Sequence, residues 1–203
     1  MIFDLFNKGG IVMYPLLACS VLSLTVIVER TLFWIRKGRE TDNRLVDTVL
    51  ELARRREYEE IKKNTRGTAD YVVKILVCGL VHRQYSLAKA MEMAATEEIK
   101  RMKQYLSVLD TMITAAPLLG ILGTVIGIIH SFDMLGRAGI QNPQAVTGGI
   151  AQALLTTAAG LLIAIFTLFP YNYFMSKVEE AALRIEKHAT SLEIVHKGNH
   201  EEK

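Results

Sequence analysis

The stretch that decides the fold reads Ala116-Pro-Leu-Leu-Gly120-Ile-Leu-Gly123-Thr124-Val-Ile-Gly127-Ile-Ile-His130-Ser-Phe132. It is apolar enough and long enough to cross a bilayer. Gly120, Gly123, Thr124 and Gly127 stand at i, i+3, i+4 and i+7, so in a helix they share one side. A helix that only anchors a protein has no use for a small-residue side. A helix that packs closely on a neighbour, or lines a polar path beside one, needs it.

Two further uncharged runs flank this one along the chain. Ile11 to Val28 gives eighteen residues without a charge, Thr111 to Ile129 gives nineteen, and Ala138 to Ser176 holds no charged residue. A hydrocarbon core about 30 Å thick takes roughly 20 helical residues, so the pattern predicts three transmembrane helices rather than the buried helices of a soluble domain. The charges orient them. Of 24 Lys and Arg, sixteen fall between Ile35 and Asp110 and five follow Ser176, while only Lys8 precedes the first span and only Arg137 separates the second from the third. The positive-inside rule then puts the N-terminus outside and both the 35–110 region and the C-terminus in the cytoplasm. The net charge of +3 reports this topology and gives no reason to propose nucleic acid.

The expected layout is a periplasmic segment 1–10, spans 11–34, 111–135 and 148–175, a cytoplasmic helical region 35–110, a short periplasmic loop 136–147, and a cytoplasmic helix and tail 176–203. Residues 1–28 do not read as a cleaved signal: the apolar core is long, Asp4 sits beside Lys8, and Glu29-Arg30 with Trp34 looks like the inner edge of a retained span. Met1–Gly10 suits a brief amphipathic turn in the outer interface. In the cytoplasmic region Asp42–Lys62 and Ala69–Arg83 read as two helices separated by Asn64-Thr65-Arg66-Gly67. Ser86 resembles an N-cap, and nothing interrupts the helix it starts before Pro117. In the tail Val178, Ala182, Ile185, Ala189 and Leu192 repeat at 4, 3, 4, 3, a heptad seam.

Catalytic patterns are missing: there is no Ser-His-Asp arrangement, phosphate loop or metal-ligand pair, and Cys19 in the first span and Cys78 in the cytoplasmic region have no disulfide partner on the same side. No enzyme activity and no cofactor are expected. The informative polar residues lie in the spans. In the third, Ala153, Thr157, Gly160 and Ala164 share a face, with Thr156 beside it and Gln152 one turn above Thr156. Spans two and three therefore each carry hydroxyls at mid-depth on a small-residue face. Between Thr111 and Phe132, and between Ile140 and Ser176, there is no carboxylate, Lys or Arg, and one histidine, His130. A hydroxyl can line a path or bond a carboxyl group but cannot hold a proton charge. If ions move along these faces, the charged carrier comes from another chain. An intramembrane acid costs about 2.5–3.5 kcal/mol on insertion scales, so a partner helix bearing one would favour a polar lining such as Thr124 and Thr157. The competing reading is that the threonines bond backbone carbonyls and the glycines serve packing alone.

Ala116–Phe132 closely resembles the second span of the TolQ/ExbB branch of the MotA/TolQ/ExbB proton channel family. Ile150–Asn172 resembles the third, through Ala153-Leu154, Thr156-Thr157-Ala158, Gly160-Leu161, Ala164-Ile165 and Tyr171-Asn172. Gly9-Gly10, Tyr14-Pro15-Leu16 and Glu29-Arg30 look like the first. The resemblance implies an all-helical inner-membrane protein with long cytoplasmic helical extensions. It would form a homopentameric ring around an ExbD/TolR-like single-span partner whose membrane Asp carries the proton. It further implies that Thr124 and Thr157 face that Asp; the residues themselves add Thr156 to the candidate ion path and assign Gly120, Gly123, Gly127 and Gly160 to helix packing. Gln152 and His130 fall on a candidate polar path. The work would be done on the cell envelope through a TonB- or TolA-like protein. A sodium-driven version, with Thr156 adding a ligand, and a non-conducting scaffold are the alternatives. Two departures stand out: Gln152 replaces a common glutamate, and Phe166 replaces a common proline, with Pro170 a turn later. The large cytoplasmic domain and fourth span of the flagellar branch have no counterpart here.

Overall fold

The computed structural model describes residues 9–39, 42–138 and 143–201. The expected interfacial turn at Met1–Gly10 thus falls outside the described residues up to Lys8, as do residues 139–142 of the loop between spans two and three. Among the described residues all regular structure is helical. Seven helices follow one another among the described residues: α1 (Met13–Arg39), α2 (Asn43–Arg54), α3 (Tyr58–Asn64), α4 (Tyr71–Val81), α5 (Arg83–Lys103), α6 (Leu106–Ala138) and α7 (Pro143–Glu201). Three stretches of helix are long and apolar enough to cross a membrane, one each in α1, α6 and α7. Two compact units emerge, Met1–Glu29 with Tyr105–Tyr173, and Arg30–Gln104 with Phe174–Lys203.

The first unit gathers the three apolar stretches around small residues. Val12 just before α1 and Leu16 in its first turn meet Ala116 of α6, with Leu119, Ala159 and Ile163 packed against them. Where lipid replaces water there is little hydrophobic gain in bringing helices together, so close van der Waals contact does the holding. The inward positions accordingly carry Ala116, Ala153 and Ala164, whereas Ile129, Phe132, Leu154, Phe166 and Phe169 point outward. Pro117 and Pro170 lie inside α6 and α7 and end neither.

In the second unit α4 is the central element, with Val72, Val73, Ile75, Leu76 and Leu80 all buried. A Cβ on Gly79 would lie 3.0 Å from Met91 Sδ and 3.3 Å from the Leu87 carbonyl, so the missing side chain lets α5 fold back on α4. Ser86 does cap the second part of α5: its backbone is extended, and its Oγ accepts from Lys89 N at 3.3 Å. Asp42 caps α2, accepting from Arg44 N and Leu45 N. Asp70, wholly buried, caps α4 by accepting from Val72 N at 2.8 Å and Val73 N at 3.4 Å. The two aspartates are joined, because Asp70 Oδ2 also accepts from Asp42 N at 2.8 Å.

Three expectations are corrected here. Residues 42–62 form two helices: Arg56 takes φ +62, Arg56 N donates to Ala53 O and Glu57 N to Leu52 O. These are the bonds of a Schellman stop, made with arginine where glycine is usual. The helix begun at Ser86 does not run on to Pro117. It ends at Lys103, where Gln104 is extended and Tyr105 has φ +64. Arg30, 2 % exposed, closes that end by donating to the carbonyls of Arg101 (3.1 Å) and Met102 (3.4 Å), where the helix dipole favours a cation. In the tail the buried stripe is Phe174, Val178, Ala181, Ile185 and Leu192, with Ala182 and Ala189 half-buried beside it. His188 falls on that stripe between Ile185 and Leu192.

Candidate ion-path face

The α6–α7 crossing is built on missing side chains. A Cβ on Gly120 would lie 2.9 Å from Thr157 Cα and 3.0 Å from Thr156 O, and one on Gly123 would lie 2.6 Å from Thr156 Cβ. A Cβ on Gly127 would meet Ala153 Cβ at 2.9 Å, and one on Gly160 would run into the Ala116 carbonyl. All four glycines named from sequence thus lie in the contact between spans two and three of one chain.

That closeness brings hydroxyls onto a bare carbonyl. Thr157 Oγ1 donates to Gly120 O at 2.9 Å. Thr156 Oγ1 donates to Ala153 O at 2.7 Å, with Gly120 O at 3.3 Å. Thr124, one turn beyond Gly120 on α6, donates to Ile121 O at 2.6 Å. Each hydroxyl proton is therefore committed to a carbonyl, which leaves oxygen lone pairs as the chemistry on offer. Such oxygens can accept from a protonated carboxyl group or coordinate a cation, and they cannot themselves carry a proton.

Burial sorts the three. Thr156 is 1 % exposed, shut between the helices, whereas Thr124 and Thr157 are half-buried at the rim of the contact. The buried stripe of α7 in this unit is Ala153, Thr156, Gly160, Ala164 and Thr167. The sequence reading placed Thr157 on the stripe and Thr156 beside it; the structure reverses their places. The additional sodium ligand foreseen at Thr156 thus faces into the helix contact.

The two other polar candidates do not join this group. Gln152 is half-buried, and its amide fills the space that a Cβ on Gly10 would occupy at the start of α1. Gln152 and Thr157 stand about 140° apart around the helix. His130 is exposed near the C-terminal end of α6. One residue of the contact escaped the sequence reading. Ser131, 2 % exposed, donates to Gly127 O at 2.9 Å, and its Oγ fills the space beside Gly149. The signal was present, since Ser131 continues the Gly123, Gly127 spacing by another four residues.

Comparison with known proteins places these helices. The sequence profile of the MotA/TolQ/ExbB proton channel family matches residues 68–187, more than half the chain and inclusive of Thr124, Thr156 and Thr157. One ExbB-like biopolymer transport protein of Synechocystis sp. is 35% identical over 202 residues, covering 96% of this chain and 94% of its own. A second from the same organism is 39% identical over 186 residues, covering 86% of this chain and 71% of its own. The Tol-Pal system protein TolQ of Haemophilus influenzae is 27% identical over 203 residues, covering 86% and 84%. With a match of that extent laid over three membrane-length helices and the glycine–threonine crossing, the chain belongs to the MotA/TolQ/ExbB proton channel family.

Proposed function

We propose that this chain is the ring-forming subunit of an ion-driven motor of the bacterial inner membrane. Five copies enclose an ExbD/TolR-like single-span partner, whose membrane Asp carries the proton past Thr124 and Thr157. The N-terminus is periplasmic, and the second unit lies in the cytoplasm with the C-terminus. Each elementary charge that crosses releases about 2.3 kcal/mol per 100 mV, and the partner delivers this as work on the envelope through a TonB- or TolA-like protein. The observation that carries the reading is chemical. The rim of the α6–α7 contact offers two accessible hydroxyl oxygens, while no carboxylate, Lys or Arg occurs from Thr111 to Phe132 or from Ile140 to Ser176. Such a lining is useful to a carboxyl group brought from outside. The burial of Thr156 supports H⁺ over Na⁺, because it leaves fewer oxygens for coordinating a bare cation.

The scaffold reading has its own support in the hydroxyl protons being fully committed to carbonyls. Ion flux separates the two. Liposomes holding this chain and its single-span partner are given H⁺ and Na⁺ gradients in turn, with the partner's membrane aspartate intact or replaced by asparagine. Flux of H⁺ that disappears with the asparagine partner is the expected result. An assembled complex that passes neither ion, even when its periplasmic target is supplied, overturns the motor.

A further inference from the structure

The tail part of α7 packs through a stripe of alternating four- and three-residue steps: Phe174, Val178, Ala181, Ile185, His188, Leu192. Five of these six are apolar and at most 4 % exposed; the sixth is a half-buried imidazole. A lone polar group in such a seam weakens the packing and is retained where it sets register or responds to a signal. We propose that His188 is a proton-sensitive element that loosens the second unit when the solution around it turns acidic.

The surroundings of His188 determine the sign. One turn earlier on α7, Arg184 Nη2 donates to Asn43 Oδ1 at 2.7 Å and lies 3.6 Å from Asp70 Oδ2, which fixes α7 against the starts of α2 and α4. One turn along α2 from Asn43 comes Asp47. The groups acting on His188 are thus Arg184 and Lys187 from its own helix, Asp47 from α2 and Asp70 from the α4 cap. Burial pushes the imidazole below its ordinary range, Arg184 and Lys187 push it further, and the two aspartates offset part of this. Tyr71, whose ring lies 5.7 Å from the Arg184 guanidinium, stays protonated across this range, since burial raises its phenol. Packed, His188 is neutral. Opened to water it takes a proton near pH 6.5. The open state therefore binds more protons once the pH falls below about 6.5, and the packed state is fully favoured above it. Charging His188 in place would set a third cation beside Lys187 and Arg184, the latter being the residue that anchors the tail to Asn43 and Asp70. A half-buried histidine in an apolar seam, flanked by two cations, is the arrangement a pH switch needs.

The inference rests on the residues of the second unit and not on ion conduction, so its test needs no partner and no flux. Hydrogen exchange is followed by mass spectrometry on the full chain in nanodiscs from pH 7.5 to 5.5 and expressed as protection factors. Peptides from 43–54 and 181–195 are expected to lose protection on acidification, by at most about tenfold per pH unit for one linked proton. His188→Gln is expected to keep them protected throughout, and His188→Lys to leave them exposed even at pH 7.5. Acid-induced loss of equal size in His188→Gln, or wild-type protection in His188→Lys at pH 7.5, overturns the proposal.

Discussion

A threonine hydroxyl inside a membrane helix gives its one proton to a backbone carbonyl, and what it keeps for a visitor is its lone pairs. Whether those lone pairs matter then depends on exposure. Thr156 and Thr157 are adjacent in sequence, yet the first is enclosed by α6 and the second reaches the rim of the contact. Thr157→Val keeps the shape and removes one interhelical hydrogen bond, a loss of about 0.6 kcal/mol. Assembly is therefore expected to survive while ion flux in liposomes falls at least tenfold. Thr156→Val is expected to do the reverse, lowering the melting midpoint in detergent with flux retained. Full flux in Thr157→Val, or lost flux in an assembled Thr156→Val, contradicts the division of roles. The glycine–threonine pattern was readable in the sequence because helical periodicity is a property of the chain itself. Which of two neighbouring threonines turns inward was not, because that depends on where α6 crosses α7.

The pairing of α6 with α7 is an element-scale matter, and glycine substitutions probe it with a sign as well as a size. A Cβ on Gly123 would come 2.6 Å from Thr156 Cβ, while one on Gly136 of the same helix meets nothing within 4 Å. Alanine favours the helix over glycine by about 1 kcal/mol, and overpacking a tight contact costs about 1–3 kcal/mol. Gly136→Ala is thus expected to hold or raise the melting midpoint in detergent and Gly123→Ala to lower it. Equal shifts for both variants contradict the contact. Helix ends show the limits of sequence reading at this scale. Ser86 reads as a cap and is one, whereas Asp42 and Asp70, which read as helical residues, cap the starts of α2 and α4. The stops at Arg56 and Tyr105 use positive φ on residues that do not advertise it, so α2 with α3, and α5 with α6, read as continuous.

Long-range closure belongs to the whole molecule, and a stretch-by-stretch reading cannot see it. Hydropathy made the three spans legible. Nothing local marks Arg30 as a buried cap for α5, or pairs Arg184 with Asn43 across 141 positions. The second unit is tied at Asp70, where both carboxylate oxygens accept: Oδ1 from the start of α4, Oδ2 from Asp42 N, with Arg184 beside it. That double demand makes the charge-neutral substitution informative. In Asp70→Asn one carboxylate oxygen becomes an NH₂ group, so either the α4 cap is lost or a donor is turned on the Asp42 N–H. A buried donor left without an acceptor costs about 1–3 kcal/mol. Asp42 differs, since Oδ1 alone receives the α2 amides, and asparagine caps nearly as well as aspartate. Limited proteolysis of the full chain in nanodiscs is expected to cut Asp70→Asn several-fold faster than wild type between residues 40 and 70, and Asp42→Asn at close to the wild-type rate. Equal resistance in both variants would mean that the unit is held by its apolar residues alone, with Asp70 no more than a helix cap.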